Sequence, residues 1–161
     1  MKNIQIVVVS FSFLLFSPAC AQNSASEKEK QSYQVSKTEA EWKAQLSDLE
    51  YEVLREEGTE RAFSGKYVDW KKEGTFTCNA CKNPVFSSST KFKSGTGWPS
   101  FYASVSETAI IERKDTKFGW NRVEVACASC GSHLGHVFDD GPKPTGLRYC
   151  INSVALDFIE K

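Results

Sequence analysis

The chain has 161 residues, 20 Lys plus Arg against 20 Asp plus Glu, six Cys and only two His. That length suits one domain with an appended segment. The even charge balance excludes the basic footprint of a nucleic-acid binder or of a protein held by charge on an anionic membrane. Eleven Phe, five Tyr and four Trp are enough for a compact core, so the clustered cysteines point to metal or redox chemistry rather than to packing.

Residues 1–21 read as a secretory signal peptide. Lys2 supplies a basic start, Ile4 to Phe16 carries no charge, and Ser17-Pro18-Ala19-Cys20-Ala21 is a small-residue exit. The apolar run is shorter than the roughly 20 residues of a membrane helix. Two processing routes stay open: cleavage after Ala21 at the Ala19-Cys20-Ala21 site, or lipidation of Cys20 as an anchor. Either makes the protein exported, whether periplasmic, secreted or membrane-anchored. Residues 22–36 are polar and too poor in apolar groups to offset their ordering entropy, so they read as a flexible tether.

The folded domain is expected over residues 37–161. Thr38-x-x-Glu41 and Ser47-x-x-Glu50 are capping boxes that open two short helices. The first carries Trp42, Ala44 and Leu46. The second carries Leu49, Val53 and Leu54 and ends at Gly58. Beyond Tyr67 the pattern changes to short extended runs at 74–78, 85–87, 109–113, 122–126, 136–138 and 148–158. Gly and Pro between them argue for an antiparallel β domain. Lys114 to Lys117 is the expected tip of a hairpin. If 148–158 is one strand, Tyr149, Ile151, Ser153, Ala155 and Asp157 share a face, and Cys150, Asn152, Val154, Leu156 and Phe158 share the other.

Cys78-x-x-Cys81 and Cys127-x-x-Cys130 are two copies of a strand, knuckle, strand unit. Facing knuckles make a tetrahedral four-thiolate site that suits a structural Zn²⁺, one per chain, with no open position for catalysis. The same sulfur set accepts iron. Two local disulfides or a redox dithiol are the competing readings of a lone pair, and the matched copies favour metal. The long stretch between the pairs must fold and return, so the metal would staple two halves of a β domain.

Cys150 is then the one uncommitted thiol. A free thiol titrates at about 8.5, so little is ionised at neutral pH. On a strand, Arg148 and Asn152 share its face. The guanidinium favours the thiolate, and the amide offers a hydrogen bond to substrate or water. His133 and His136 are the natural proton donors near neutrality. Ser94 to Tyr102 contains two glycines with Trp98 and Phe101, either an apolar wall for a methyl or thioether group or a packed corner of the core.

With these residues in view, the chain closely resembles the B-type peptide methionine sulfoxide reductases, specific for the R epimer. The resemblance runs from about Lys37 to Phe158. Its carriers are Glu56 to Arg61 with Phe63-Ser64-Gly65, Gly97-Trp98-Pro99-Ser100-Phe101, both CxxC pairs, Gly131 to Phe138, and Arg148 to Ser153. It implies a mainly β fold of two antiparallel sheets stapled by the four-cysteine zinc site, with short N-terminal helices and the zinc far from the catalytic thiol. It implies Cys150 as nucleophile, Trp98 on the substrate methyl, and His133, His136 and Asn152 as the polar side of the pocket. Arg148 would support the thiolate and Asp139 would orient the network.

Cys150 would attack the sulfoxide sulfur while His136 or His133 protonates the oxygen, leaving methionine and a sulfenic acid. Many members of the family carry a resolving cysteine where this chain has Thr96. Recycling by an external dithiol protein of the thioredoxin kind is therefore expected, and a monomer is the expected state. A zinc-stapled binding module and a Cys-His hydrolase are the rival readings.

Overall fold

A computed structural model describes residues 32–119 and 121–161. The expected signal 1–21, Cys20, and the expected tether as far as residue 31 lie outside the described residues. Contacts begin before Lys37: the Val35 N–H donates to Ser129 O at 2.8 Å, and the Arg113 guanidinium bonds the Tyr33 hydroxyl. Among the described residues no helix is long and apolar enough to cross a membrane.

Both capping boxes form. Helix α1 spans Glu39–Gln45 and α2 spans Asp48–Glu56. Thr38 Oγ1 accepts from the Glu41 N–H while the Glu41 carboxylate accepts from the Thr38 N–H at 2.7 Å; Ser47 and Glu50 repeat the exchange. Each cap is worth about 1 kcal/mol, which matters in helices too short to persist alone. Trp42, Leu46, Val53 and Leu54 are buried. Leu49 is 48% exposed, at the rim of a cavity that it shares with Tyr67 and Leu156.

The fold is mainly β, in two antiparallel sheets. Strands β1 (Gly74–Cys78), β2 (Pro84–Ser87) and β9 (Leu156–Glu160) form one sheet in the order β2-β1-β9. The other is built from β3 (Lys91–Phe92), β4 (Ser100–Phe101), β5 (Ile110–Asp115), β6 (Arg122–Cys127), β7 (His133–Phe138) and β8 (Arg148–Ile151), in the order β3-β4-β8-β7-β6-β5. β3 and β4 are absent from the sequence expectation because two residues give no period. β5 runs on to Asp115, so the expected hairpin tip shifts towards Lys117.

The expected single strand over 148–158 is two strands. β8 stops at Ile151, Ser153–Ala155 make a 3₁₀ turn, and the chain resumes as β9 in the other sheet. Glu60 holds that turn, accepting from the Ser153 N–H at 2.5 Å and the Val154 N–H at 2.9 Å. The expected alternation therefore ends at Ile151, and Asn152 and Ser153 are both buried.

An aromatic core fills the space the two sheets share. Phe86 stacks on Phe101 at 4.5 Å, Phe76 meets Phe101 at 5.1 Å, and Phe158 lies 4.9 Å from Phe76. Such pairs add about 0.5–1.5 kcal/mol each beyond the area they bury.

Candidate active site and metal centre

The two knuckles have the same backbone. Lys82 N–H donates to Cys78 O at 2.7 Å, and Gly131 N–H donates to Cys127 O at 2.8 Å. Both closing residues are left-handed, Lys82 at φ 63 and Gly131 at φ 71. At the second, glycine also leaves room for the Tyr33 ring, whose tip a Cβ there would meet at 2.4 Å.

The turns aim four sulfurs at one point. Cys78 Sγ lies 3.8 Å from Cys130 Sγ, Cys81 Sγ lies 3.6 Å from Cys127 Sγ, and all four fall within 4.8 Å of one another. These are not disulfides, which need about 2.05 Å. A tetrahedral zinc with Zn–S bonds of about 2.3 Å has sulfur-to-sulfur edges of about 3.8 Å, so the donor set fits the ion in both chemistry and spacing. Asn83 Nδ2 donates towards Cys127 Sγ at 3.7 Å, and the Ser132 hydroxyl lies 3.2 Å from Cys130 Sγ. Such outer partners orient sulfur ligands.

The remaining thiol opens on a cavity of about 210 Å³, lined by Thr59, Trp98, Arg122, Gly135, His136, Phe138, Cys150 and Asn152. Sheet register explains the grouping. Ser100, Cys150, His136, Glu124 and Arg113 are paired in turn across five strands, and directly paired residues share a face. Gly135 is required beneath them, since a Cβ would lie 2.1 Å from Cys150 O.

Burial pushes the Cys150 thiol above its ordinary pKa. The Thr96 hydroxyl, 3.9 Å from the sulfur, and the Arg148 guanidinium pull it back only in part. On sequence grounds Arg148 tips the group towards thiolate; in the fold, desolvation outweighs it. Arg148 is itself engaged, bidentate to Asp140 at 2.8 and 2.9 Å and lying over the Phe138 ring at 4.4 Å.

The histidines stand one behind the other, rings 5.3 Å apart. His136 lines the cavity, and its Nε2 lies 3.0 Å from Asp115 Oδ2. Burial lowers its pKa despite that carboxylate, with the charge of Arg122 adding to the fall. The Lys117 backbone N–H, with His136 and Arg122, holds Asp115 down at about 2. His133 is buried outside the cavity, its Nδ1 2.8 Å from Glu124 Oε1, and its Nε2 has no partner among the described residues. Glu124 is pushed up by burial but ends below its ordinary value through the bond to His133 and the charges of His133 and Arg113.

Asn152 lines the cavity, yet its amide is tied to backbone: Oδ1 accepts from the Glu60 N–H and Nδ2 donates to Leu134 O, both at 3.1 Å. The Trp98 indole also lines it, its Nε1 donating to Glu60 O at 3.2 Å. Two expected pocket residues lie elsewhere. Phe101 is fully buried in the aromatic core, because on β4 it is Ser100 that shares the Cys150 row and Phe101 faces the other way. Asp139 is exposed and lines no part of the cavity; its neighbour Asp140 meets Arg148. Sequence reading missed Asp115, Arg122, Glu124 and Glu60. Alternation from Arg122 to Glu124 was visible, but not which strand they would face.

The SelR domain model matches residues 46–160. A protein of Thiobacillus denitrificans named peptide methionine sulfoxide reductase MsrB is 58% identical over 125 residues, 78% of this chain and 95% of the relative. Proteins of the same name from Pseudomonas putida and Methanosarcina barkeri are 58% and 57% identical over 124 residues. In both cases this is 77% of the chain, and it is 93% and 87% of the relatives. With this match over nearly the whole described fold, the chain belongs to the SelR-domain family of MsrB-type methionine sulfoxide reductases.

Proposed function

We propose that the chain is an oxidoreductase that reduces the R epimer of methionine sulfoxide in polypeptides to methionine, with Cys150 as the nucleophile. The observation that carries the reading is the cavity in which the Cys150 sulfur, the Trp98 indole, the His136 imidazole and Asn152 face one another. The apolar indole suits the methyl group, and the polar side suits the sulfoxide oxygen.

Chemistry follows from the resting protonation. A thiol held up by burial and an imidazole held down by it start as a neutral pair. The thiol proton moves towards the sulfoxide oxygen as the sulfur attacks, and His136, rather than the more remote His133, stands where it can relay that proton. As the S–O bond of the substrate breaks, the oxygen passes with its proton to the Cys150 sulfur, the sulfur–sulfur bond made in the attack is released, and methionine leaves with Cys150 as a sulfenic acid. Two electrons from an external dithiol of the thioredoxin kind then restore the thiol and release water. This recycling route is supported by Thr96 beside the sulfur and by the other four described cysteines gathering in the metal centre. Those four hold one structural Zn²⁺ per chain. Arg148 supports negative charge on the Cys150 sulfur as it develops. Export through residues 1–21, with Cys20 lipidated or removed, completes the reading of a monomeric repair enzyme.

The test is turnover of a peptide carrying resolved methionine sulfoxide epimers, with dithiothreitol as reductant. Consumption of the R epimer alone, abolished by Cys150→Ser, is the expected result. Turnover that survives Cys150→Ser, or an absolute preference for the S epimer, would sink it.

A further inference from the structure

Phe63 breaks two rules of economical folding at one position. Its side chain is 71% exposed, the most exposed of the large apolar side chains described. Its backbone is left-handed at φ 63, a region that bulky side chains rarely adopt. The conformation is enforced from both sides. The Phe63 N–H donates to Gly97 O at 2.8 Å, and Ser64 N–H and Oγ both return to Arg61 O, closing a tight turn.

That turn lies against the cavity wall. Thr59 and Trp98 line the cavity, and Glu60 O accepts the indole N–H. A Cβ on Gly97 would meet Ala62 and the Phe63 ring at 2.9 Å, so the ring lies directly on the residue before Trp98. On the other side of the same loop, Thr96 touches the Cys150 sulfur. The segment 59–63 thus runs along the Gly97-Trp98 loop, from Thr59 in the cavity wall to an exposed Phe63 ring lying on Gly97. Strain maintained where it adds nothing to the core points to a task at the site.

We propose that Phe63 is a specificity-determining residue: an apolar lip that packs against the side chain flanking an oxidised methionine in an unfolded polypeptide. This rests on the sulfoxide reductase reading above and names the substrate form that the site prefers, a chain with apolar neighbours rather than the amino acid alone.

The experiment compares kcat/KM, with dithiothreitol as reductant, for two substrates: N-acetyl methionine R-sulfoxide amide, and a peptide with leucine on both sides of the same residue. In Phe63→Ala and Phe63→Gly the peptide-to-amide ratio is expected to fall about tenfold, through KM, the change expected for losing roughly half the burial of one phenyl ring. Phe63→Leu is expected to recover part of it. Phe63→Gly, free to adopt positive φ, should keep or raise Tm. A ratio that stays within twofold of wild type overturns the lip. So does a fall in Tm of several degrees in Phe63→Gly, which would make the ring structural, and so does a defect seen only with a protein dithiol, which would assign it to reductant docking. Wild-type protein inert towards both sulfoxides would instead sink the underlying reading, and the lip with it.

Discussion

Cys150 on β8 and His136 on β7 are directly paired across the sheet. Their approach is therefore set by strand register, and a slip of one residue in either strand would send its side chain to the opposite face from its partner. Strands are stiffer mounts than loops, which suits the proton relay proposed for these two groups.

Burial and charge compete at the thiol, and the competition can be measured. The rate of Cys150 alkylation by iodoacetamide should rise with pH to a midpoint above that of an ordinary thiol. Arg148→Ala removes a cation and should move the midpoint higher. Asp140→Asn removes a charge that raises the thiol pKa and frees Arg148, so it should move the midpoint lower. Shifts of the same sign in both variants would show that the guanidinium does not act on the sulfur as described.

Asp115 links the site to acid stability. Its folded pKa of about 2 lies below its unfolded value of about 3.9. The stabilisation is therefore complete above the unfolded value and is lost as pH falls through the folded one. Asp115→Asn should cost on the order of 1–3 kcal/mol at neutral pH, with the gap to wild type closing between pH about 4 and 2. Urea unfolding at a series of pH values reads this directly. A gap that stays constant down to pH 2 would place the cost in lost packing rather than in the carboxylate.

Removing one metal ligand should remove the fold's staple. Cys81→Ser is expected to lose zinc and several kcal/mol of stability together, read as metal content by mass spectrometry and as a melting curve by circular dichroism. A variant that binds no metal yet melts like wild type would count against a structural centre.

How much of this is readable from sequence depends on range. The capping boxes, the two knuckles and the spare thiol are each set by residues within a few positions of one another, and each stands where spacing places it. Phe101 and Glu124 depend on parity, on which face of a strand a residue takes once its partner is known, and spacing does not give that. Glu60 is legible only after its carboxylate is seen gripping a turn some ninety positions later. The break at Asn152 has no glycine or proline to announce it; Ser-Val-Ala passes equally well for strand.

Because β8 and β9 are one run of chain serving different sheets, β1 has β2 beside it early but must wait for β9 on its other side. Phe76 can meet Phe158 only after every strand of the larger sheet has been made. Pairings so distant in sequence form slowly, and the β9-facing edge of β1 stays open to other chains in the meantime. The first cysteine knuckle begins at the end of β1. Metal captured by both knuckles would tether that strand before its last partner arrives, giving the ion a part in assembly as well as in the finished molecule.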